Sequence, residues 1–235
     1  MRIVTLASVR GAPGVTTAAL MLASTLPEAV LVEADLDGGV LAIRYGLGRE
    51  PGLTTLAASS PDDDRGWRAH AQSAGGVPVL VEPDLPDACA MLWRTGGNRI
   101  TDVLVAASGI AVIDAGRLRS HAPIVAASDL VAVLVRPVAE QLVALAQRLP
   151  TLHQLIRGQV AAVLVGNGPY RTAEVEAGLD VPVLGTLPDD PTSAETLRSG
   201  GPHARLARSQ LARAVTELSA HVHAVAARPM EVTTR

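Results

Sequence analysis

Near its amino terminus the chain reads Arg2-Ile3-Val4-Thr5-Leu6-Ala7-Ser8-Val9-Arg10-Gly11-Ala12-Pro13-Gly14-Val15-Thr16-Thr17-Ala18-Ala19-Leu20-Met21-Leu22-Ala23. Arg2–Ser8 is a short, mostly apolar run without polar alternation, the pattern of a strand covered on both faces. Glycines at 11 and 14 punctuate it, and Thr16–Leu26 then carries apolar residues at helical spacing. Strand, glycine loop and helix in that order suit a phosphate-binding turn. Glycines let the backbone curl with its N–H groups inward, and the helix N-terminus adds partial positive charge. Thr16, the hydroxyl directly after the loop, stands where a Mg²⁺ ligand is needed. The competing reading of Gly11–Thr16 is a plain tight βα turn that binds nothing.

Further apolar runs, rich in Val, Leu and Ile, recur at Ala29–Glu33, Val77–Glu82, Ile110–Asp114, Leu130–Val135, Gln159–Val165 and Val181–Leu187. Segments with helical spacing lie between them at Ala88–Ala106, Ala139–Ile156 and Arg171–Leu179. This alternation predicts a doubly wound α/β fold, with a mostly parallel sheet, right-handed crossovers and helices on both faces. Residues 59–76, with Pro61, Asp62-Asp63-Asp64 and Gly75-Gly76, read as a loop and a solvated surface helix. A last helix is expected over Pro202–Ala227, and Pro229 marks 228–235 as a disordered tail. No internal repeat or linker divides the chain, so 1–227 is expected to be one domain.

Composition narrows the function classes. Of 235 residues 48% are hydrophobic but only 2% aromatic, with no Phe, so the core must be built from small aliphatic side chains. All 20 basic residues are Arg, which resembles high-GC codon pressure and makes a missing Lys at any one site partly a background effect. A net charge of -3 provides no global field for DNA or an anionic membrane. The lone Cys89 excludes an intrachain disulfide and a Cys-rich metal or iron–sulfur site. The apolar stretch before Arg10 is too short for a signal peptide and no run reaches membrane-spanning length, so a soluble, cytoplasmic protein is expected.

The segment Arg10-Gly11-Ala12-Pro13-Gly14-Val15-Thr16-Thr17 resembles the deviant Walker A loop of the ParA/MinD family of P-loop ATPases, Lys-Gly-Gly-Val-Gly-Lys-Thr-Thr. The outer glycines and both threonines match, and both lysines are lost. The resemblance implies a cradle for ATP or ADP with Mg²⁺ made by Gly11, Ala12, Gly14, Val15, Thr16 and Thr17, with Thr16 also a metal ligand. Arg10 takes the place of the signature lysine that reaches a partner's nucleotide across a dimer interface, keeping charge with a different shape. Val15 replaces the lysine that bridges the terminal phosphates, a charge-assisted contact worth about 1.5 to 3 kcal/mol. Pro13 removes one further N–H.

Other segments resemble the family in order and spacing, from Arg2 to about Gly201. Asp35, in Glu33-Ala34-Asp35-Leu36-Asp37, takes the place of the switch I carboxylate that orients the attacking water, while Asp37 reads as a loop cap. Asp114, ending Ile110-Ala111-Val112-Ile113, resembles the Walker B carboxylate that holds a Mg²⁺-bound water. The following Ala115-Gly116-Arg117 departs from the family by lacking proline. Ser128-Asp129 matches the Asp that leads into the next core strand, and Asn167 the adenine-reading Asn, with an Asn-Gly turn as the competing reading. Pro188 and Asp189 match the loop beside the base.

Cys89 alone does not suit the cysteine-bridged reductase and maturation branches, nor isolated Tyr45 and Tyr170 the tyrosine-kinase branch. In the last helix Leu206, Leu211, Val215, Leu218 and Val222 share one face, read as core packing in preference to membrane docking, and its few arginines give thin support to nonspecific DNA binding. Two functions remain: a homodimeric positioning or partition factor with slow or absent ATP hydrolysis, or a nucleotide-free pseudo-ATPase scaffold for a protein cargo. A heterodimer with an intact relative supplying a lysine is a further possibility.

Overall fold

The computed structural model describes residues 1–10, 14–60, 65–118, 123–200, 206 and 208–226. The first half runs β1 (Arg2–Ser8), α1 (Val15–Thr25), β2 (Ala29–Glu33), α2 (Leu41–Tyr45), α3 (Leu53–Ala57), a 3-10 turn (Trp67–His70), β3 (Gln72–Ala74), β4 (Val77–Leu80) and α4 (Pro86–Ala106). The second half runs β5 (Ile110–Arg117), α5 (Pro123–Ala126), β6 (Leu130–Val135), α6 (Ala139–Ala146), α7 (Leu149–Leu155), β7 (Gln159–Val165), α8 (Thr172–Leu179), β8 (Val183–Leu187), α9 (Pro191–Arg198) and α10 (Gln210–Ala226). The eight strands form one sheet in the order β3-β4-β2-β5-β1-β6-β7-β8. All neighbours are parallel except the β3/β4 pair.

Alternation along each strand feeds two cores. Ile3, Val30, Ile113 and Val133 face a layer built from α3 to α8, with Leu92, Trp93, Ile100 and Leu104 of α4 at its centre. Val4, Leu31, Val112 and Leu134 face the opposite layer, where Leu20 and Leu22 of α1 meet Val215 and Leu218 of α10. Both faces of the sheet are therefore covered, which is why its strands read as continuous apolar runs. Truncating a fully buried leucine such as Leu22 to Ala is expected to cost about 2 to 5 kcal/mol. Asp129 ties β6 to β1 by accepting from the Ile3 N–H at 2.7 Å and pairing with Arg2 at 3.1 Å.

The observed bounds differ from the sequence reading where local chemistry intervenes. α1 stops because Pro27 pushes Leu26 into extended backbone (φ −86°, ψ 135°). The expected helix 139–156 divides in two, with Pro150 seated in the first turn of α7, where a missing N–H costs little. β4 ends at Leu80, β8 begins at Val183 and β5 continues to Arg117. Residues 65–76 are not a solvated helix: Trp67 and His70 are buried, and Gly75-Gly76 turns β3 back onto β4 as an antiparallel hairpin. Asp62-Asp63-Asp64, the expected start of the last helix at 202–205, and the tail 228–235 lie outside the described residues. The apolar stripe of α10 is core, as expected, with Leu211, Val215, Leu218 and Val222 buried on α1 and β8. Among the described residues no helix is long and apolar enough to cross a membrane.

Candidate functional site: a cleft at the strand ends

Strand register collects the candidate residues. β1, β5 and β2 are neighbours, with Leu6 opposite Asp114 and Glu33 opposite Asp114. The turn after β1, Asp35 just past β2, and Asp114 near the end of β5 therefore meet at the carboxyl edge of the sheet, where open α/β sheets bind ligands. Gly14, in left-handed backbone (φ 84°), opens α1, and its carbonyl accepts from the Ala18 N–H at 2.8 Å.

Asp114 is 2% exposed. Burial pushes its carboxyl up to about 6, opposed by hydrogen bonds from the Thr16 hydroxyl and the Gly116 N–H, the latter at 3.1 Å. The Asp35 charge raises it further, and the Arg44 guanidinium lowers it. Asp35 accepts from the Asp37 N–H at 3.0 Å, and its carboxylate lies close against Gly116. A Cβ at Gly116 would overlap that carboxylate, and the residue has φ +52°, so glycine is required twice over.

These residues border a cavity of about 570 Å³, within the usual range for a small-molecule site. Gly14, Val15, Thr16, Thr17, Asp35, Pro188 and Asp189 all line it, while Asp114 is buried and does not. Val15 is 5% exposed and packs into the α1 core, so the position that resembles a phosphate-bridging lysine brings no charge to the cavity. Asn167 is exposed two residues past β7 and lines a second cavity of about 590 Å³, which shares Leu187, Pro188 and Asp189 with the first. Arg10 is exposed and does not line the cleft. Gly11, Ala12 and Pro13 lie outside the described residues.

Sequence reasoning missed the arginines. Arg44, Arg117, Arg136 and Arg198 line the cavity from four separate elements or loops, and no motif spacing links them. Arg136 pairs with Asp189 at 3.0 Å, joining the loops after β6 and β8.

It also missed a buried acidic pair beside the site. Glu33, 2% exposed, accepts from the N–H groups of Val40 and Leu41 at 2.8 and 2.9 Å and so holds the start of α2. Its other oxygen accepts from the Glu82 N–H at 3.3 Å. Burial pushes Glu33 up to about 7, against those backbone bonds, with Asp114 adding to the rise. Glu82 is raised well above the usual carboxylate range, chiefly by burial, although the Trp93 indole donates to it at 3.1 Å. Burial and the Glu82 charge push the Cys89 thiol up to about 12.

Solved structures match this architecture over nearly its whole length. MinD from Pyrococcus horikoshii, complexed with Mg-ADP, superposes with a TM-score of 0.73 at 16% identity, covering 98% of this chain and 99% of that one. The cell division ATPase MinD from Pyrococcus furiosus gives 0.74 at 18% identity, covering 95% and 99%. A ParA family ATPase from Chlorobium tepidum gives 0.74 at 16%, covering 94% and 98%. No protein-family model and no curated protein matches the sequence. The eight-stranded sheet with helices on both faces thus has the fold of the MinD/ParA P-loop ATPases.

Proposed function

We propose that this protein binds ATP or ADP with Mg²⁺ in the strand-end cleft and works as a dimeric positioning or partition factor of the MinD/ParA kind. The observation that carries the reading is that Thr16 lines a 570 Å³ cavity at the strand ends while its hydroxyl favours the charged form of the buried Asp114 carboxyl. A hydroxyl at the cavity wall with a buried carboxylate behind it would suit a hard cation, which keeps most of its own water and takes few protein ligands. Thr16 and, through water, Asp114 would hold the metal. Asp35, fixed against Gly116 and by the Asp37 N–H, would orient a water molecule at the cavity wall. Bound ATP would supply the phosphoanhydride whose cleavage such proteins use as a timer. With Val15 in place of a lysine, that cleavage is expected to be slow.

The mononucleotide complex of the Pyrococcus horikoshii relative supports the ligand class, and the cell-division role of the Pyrococcus furiosus relative supports the positioning role. Arg10, exposed at the mouth of the loop, remains available to a second subunit. The burial of Val15 favours a second reading, a nucleotide-free scaffold. Isothermal titration with ATP and ADP, with and without Mg²⁺, decides between them. Binding that requires Mg²⁺ and weakens about tenfold to a hundredfold in Asp114→Ala is expected. No heat at millimolar nucleotide from folded protein would leave the scaffold.

A further inference from the structure

Val15 brings no charge to the cavity and Arg10 does not line it, yet four arginines from elsewhere in the chain do. Two of them are committed: Arg136 to Asp189 at 3.0 Å, and Arg198 to Glu195 at 3.2 Å. Arg44 and Arg117 form no ion pair with any described residue.

Both are held where they are by the fold. Arg117 is the last residue of β5, in register with Ser8, the last residue of β1 before the turn. The next N–H, of Leu118, donates to the Ser8 carbonyl at 2.7 Å and fixes this position. Arg44 sits on α2, a helix of only five residues that would not persist alone. Its start is clamped by the buried Glu33 carboxylate. Its end packs on Gly200, where any Cβ would overlap the Arg44 carbonyl. Arg44 lines the same cavity as Thr16, Thr17 and Asp35.

We propose that Arg44 and Arg117 together replace the lost phosphate-bridging lysine, gripping the polyphosphate of a nucleoside di- or triphosphate from the far wall of the cleft. This rests on the nucleotide-binding reading above. An arginine carries a permanent charge and a planar fork that can take two phosphate oxygens at once, so a guanidinium from another element is a chemically sufficient substitute for an ammonium in the turn. A phosphate-directed grip also predicts a ranking: ATP and ADP depend on these residues, and AMP much less.

The test is titration of the full-length protein with Mg²⁺ complexes of ATP, ADP and tripolyphosphate, and with AMP. Wild type is compared with Arg44→Gln, Arg117→Gln, the double variant, Arg44→Lys, and Arg94→Gln as a charge control on the exposed face of α4. Each single Gln variant is expected to weaken ATP binding about tenfold and the double about a hundredfold, with tripolyphosphate following ATP. Arg44→Lys should recover most of the loss, and Arg94→Gln should match wild type. Should Arg44→Gln fail to fold, the Arg117→Gln loss and the Arg44→Lys rescue carry the same decision. A folded double variant that binds ATP within twofold of wild type overturns the arginine grip and leaves the nucleotide reading standing. Wild type that binds none of the ligands overturns both.

Discussion

The two ends of the cleft are built from the same residue types and behave in opposite ways. At the β2/β5 end, Glu33, Glu82 and Asp114 are all under 5% exposed, and each is pushed toward its neutral form by burial. At the β8 end, Asp190 caps α9, accepting from the Ser193 N–H at 2.9 Å and its hydroxyl at 2.6 Å, and these bonds lower its pKa. Asp189 beside it is largely exposed and ion-paired. One end holds its acids at a cost in free energy. The other uses its acids to stabilise loops.

Three changes test that contrast. The largest effect is expected from Glu33→Gln, which keeps an oxygen for the Val40 and Leu41 N–H groups but removes the buried charge. A carboxyl raised from 4.5 to about 7 binds protons more tightly folded than unfolded, so it costs stability progressively from about pH 4.5 to 7 and in full above. Urea unfolding should show the variant more stable by about 3 kcal/mol at pH 8 and nearly equal to wild type at pH 4.5. A pH-independent difference would break the contrast. Next comes Gly116→Ala, which drives a Cβ into Asp35 and strains a left-handed residue; a loss of about 2 kcal/mol is expected in the same assay. Wild-type stability would mean the Asp35 loop yields freely. The smallest is Asp190→Ala, expected to cost about 1 kcal/mol at neutral pH. Because the Asp190 pKa is lowered, that contribution vanishes in acid, as pH falls through the folded value, the reverse of Glu33.

The central strands and the Thr16, Asp35 and Asp114 positions were legible because burial on both sheet faces leaves continuous apolar runs, and the strand-end residues follow them directly. What escaped was set by tertiary contact. Arg44 and Arg117 share no spacing that a linear reading detects, and α2 exists because Glu33 and Gly200 clamp its two ends. Glu82 looked like the close of a strand, and only the fold brings its backbone and carboxylate against Glu33, 49 positions away. Trp67 and His70 were assigned to solvent because they follow an acidic run, whereas the β3/β4 hairpin draws them inward. Asn167 was found by pattern, but the fold sets it in the adjoining cavity.

The packing of α10 limits which parts of the fold can move. Leu211, Val215, Leu218 and Val222 are spent against α1 and β8. Pulling that face away would surrender about 6 to 12 kcal/mol of burial, comparable to the whole stability of an ordinary domain. α10 is therefore a fixed buttress on α1 and β8, and under the nucleotide-binding reading proposed above a change in the cleft would be passed on through the loops at its rim.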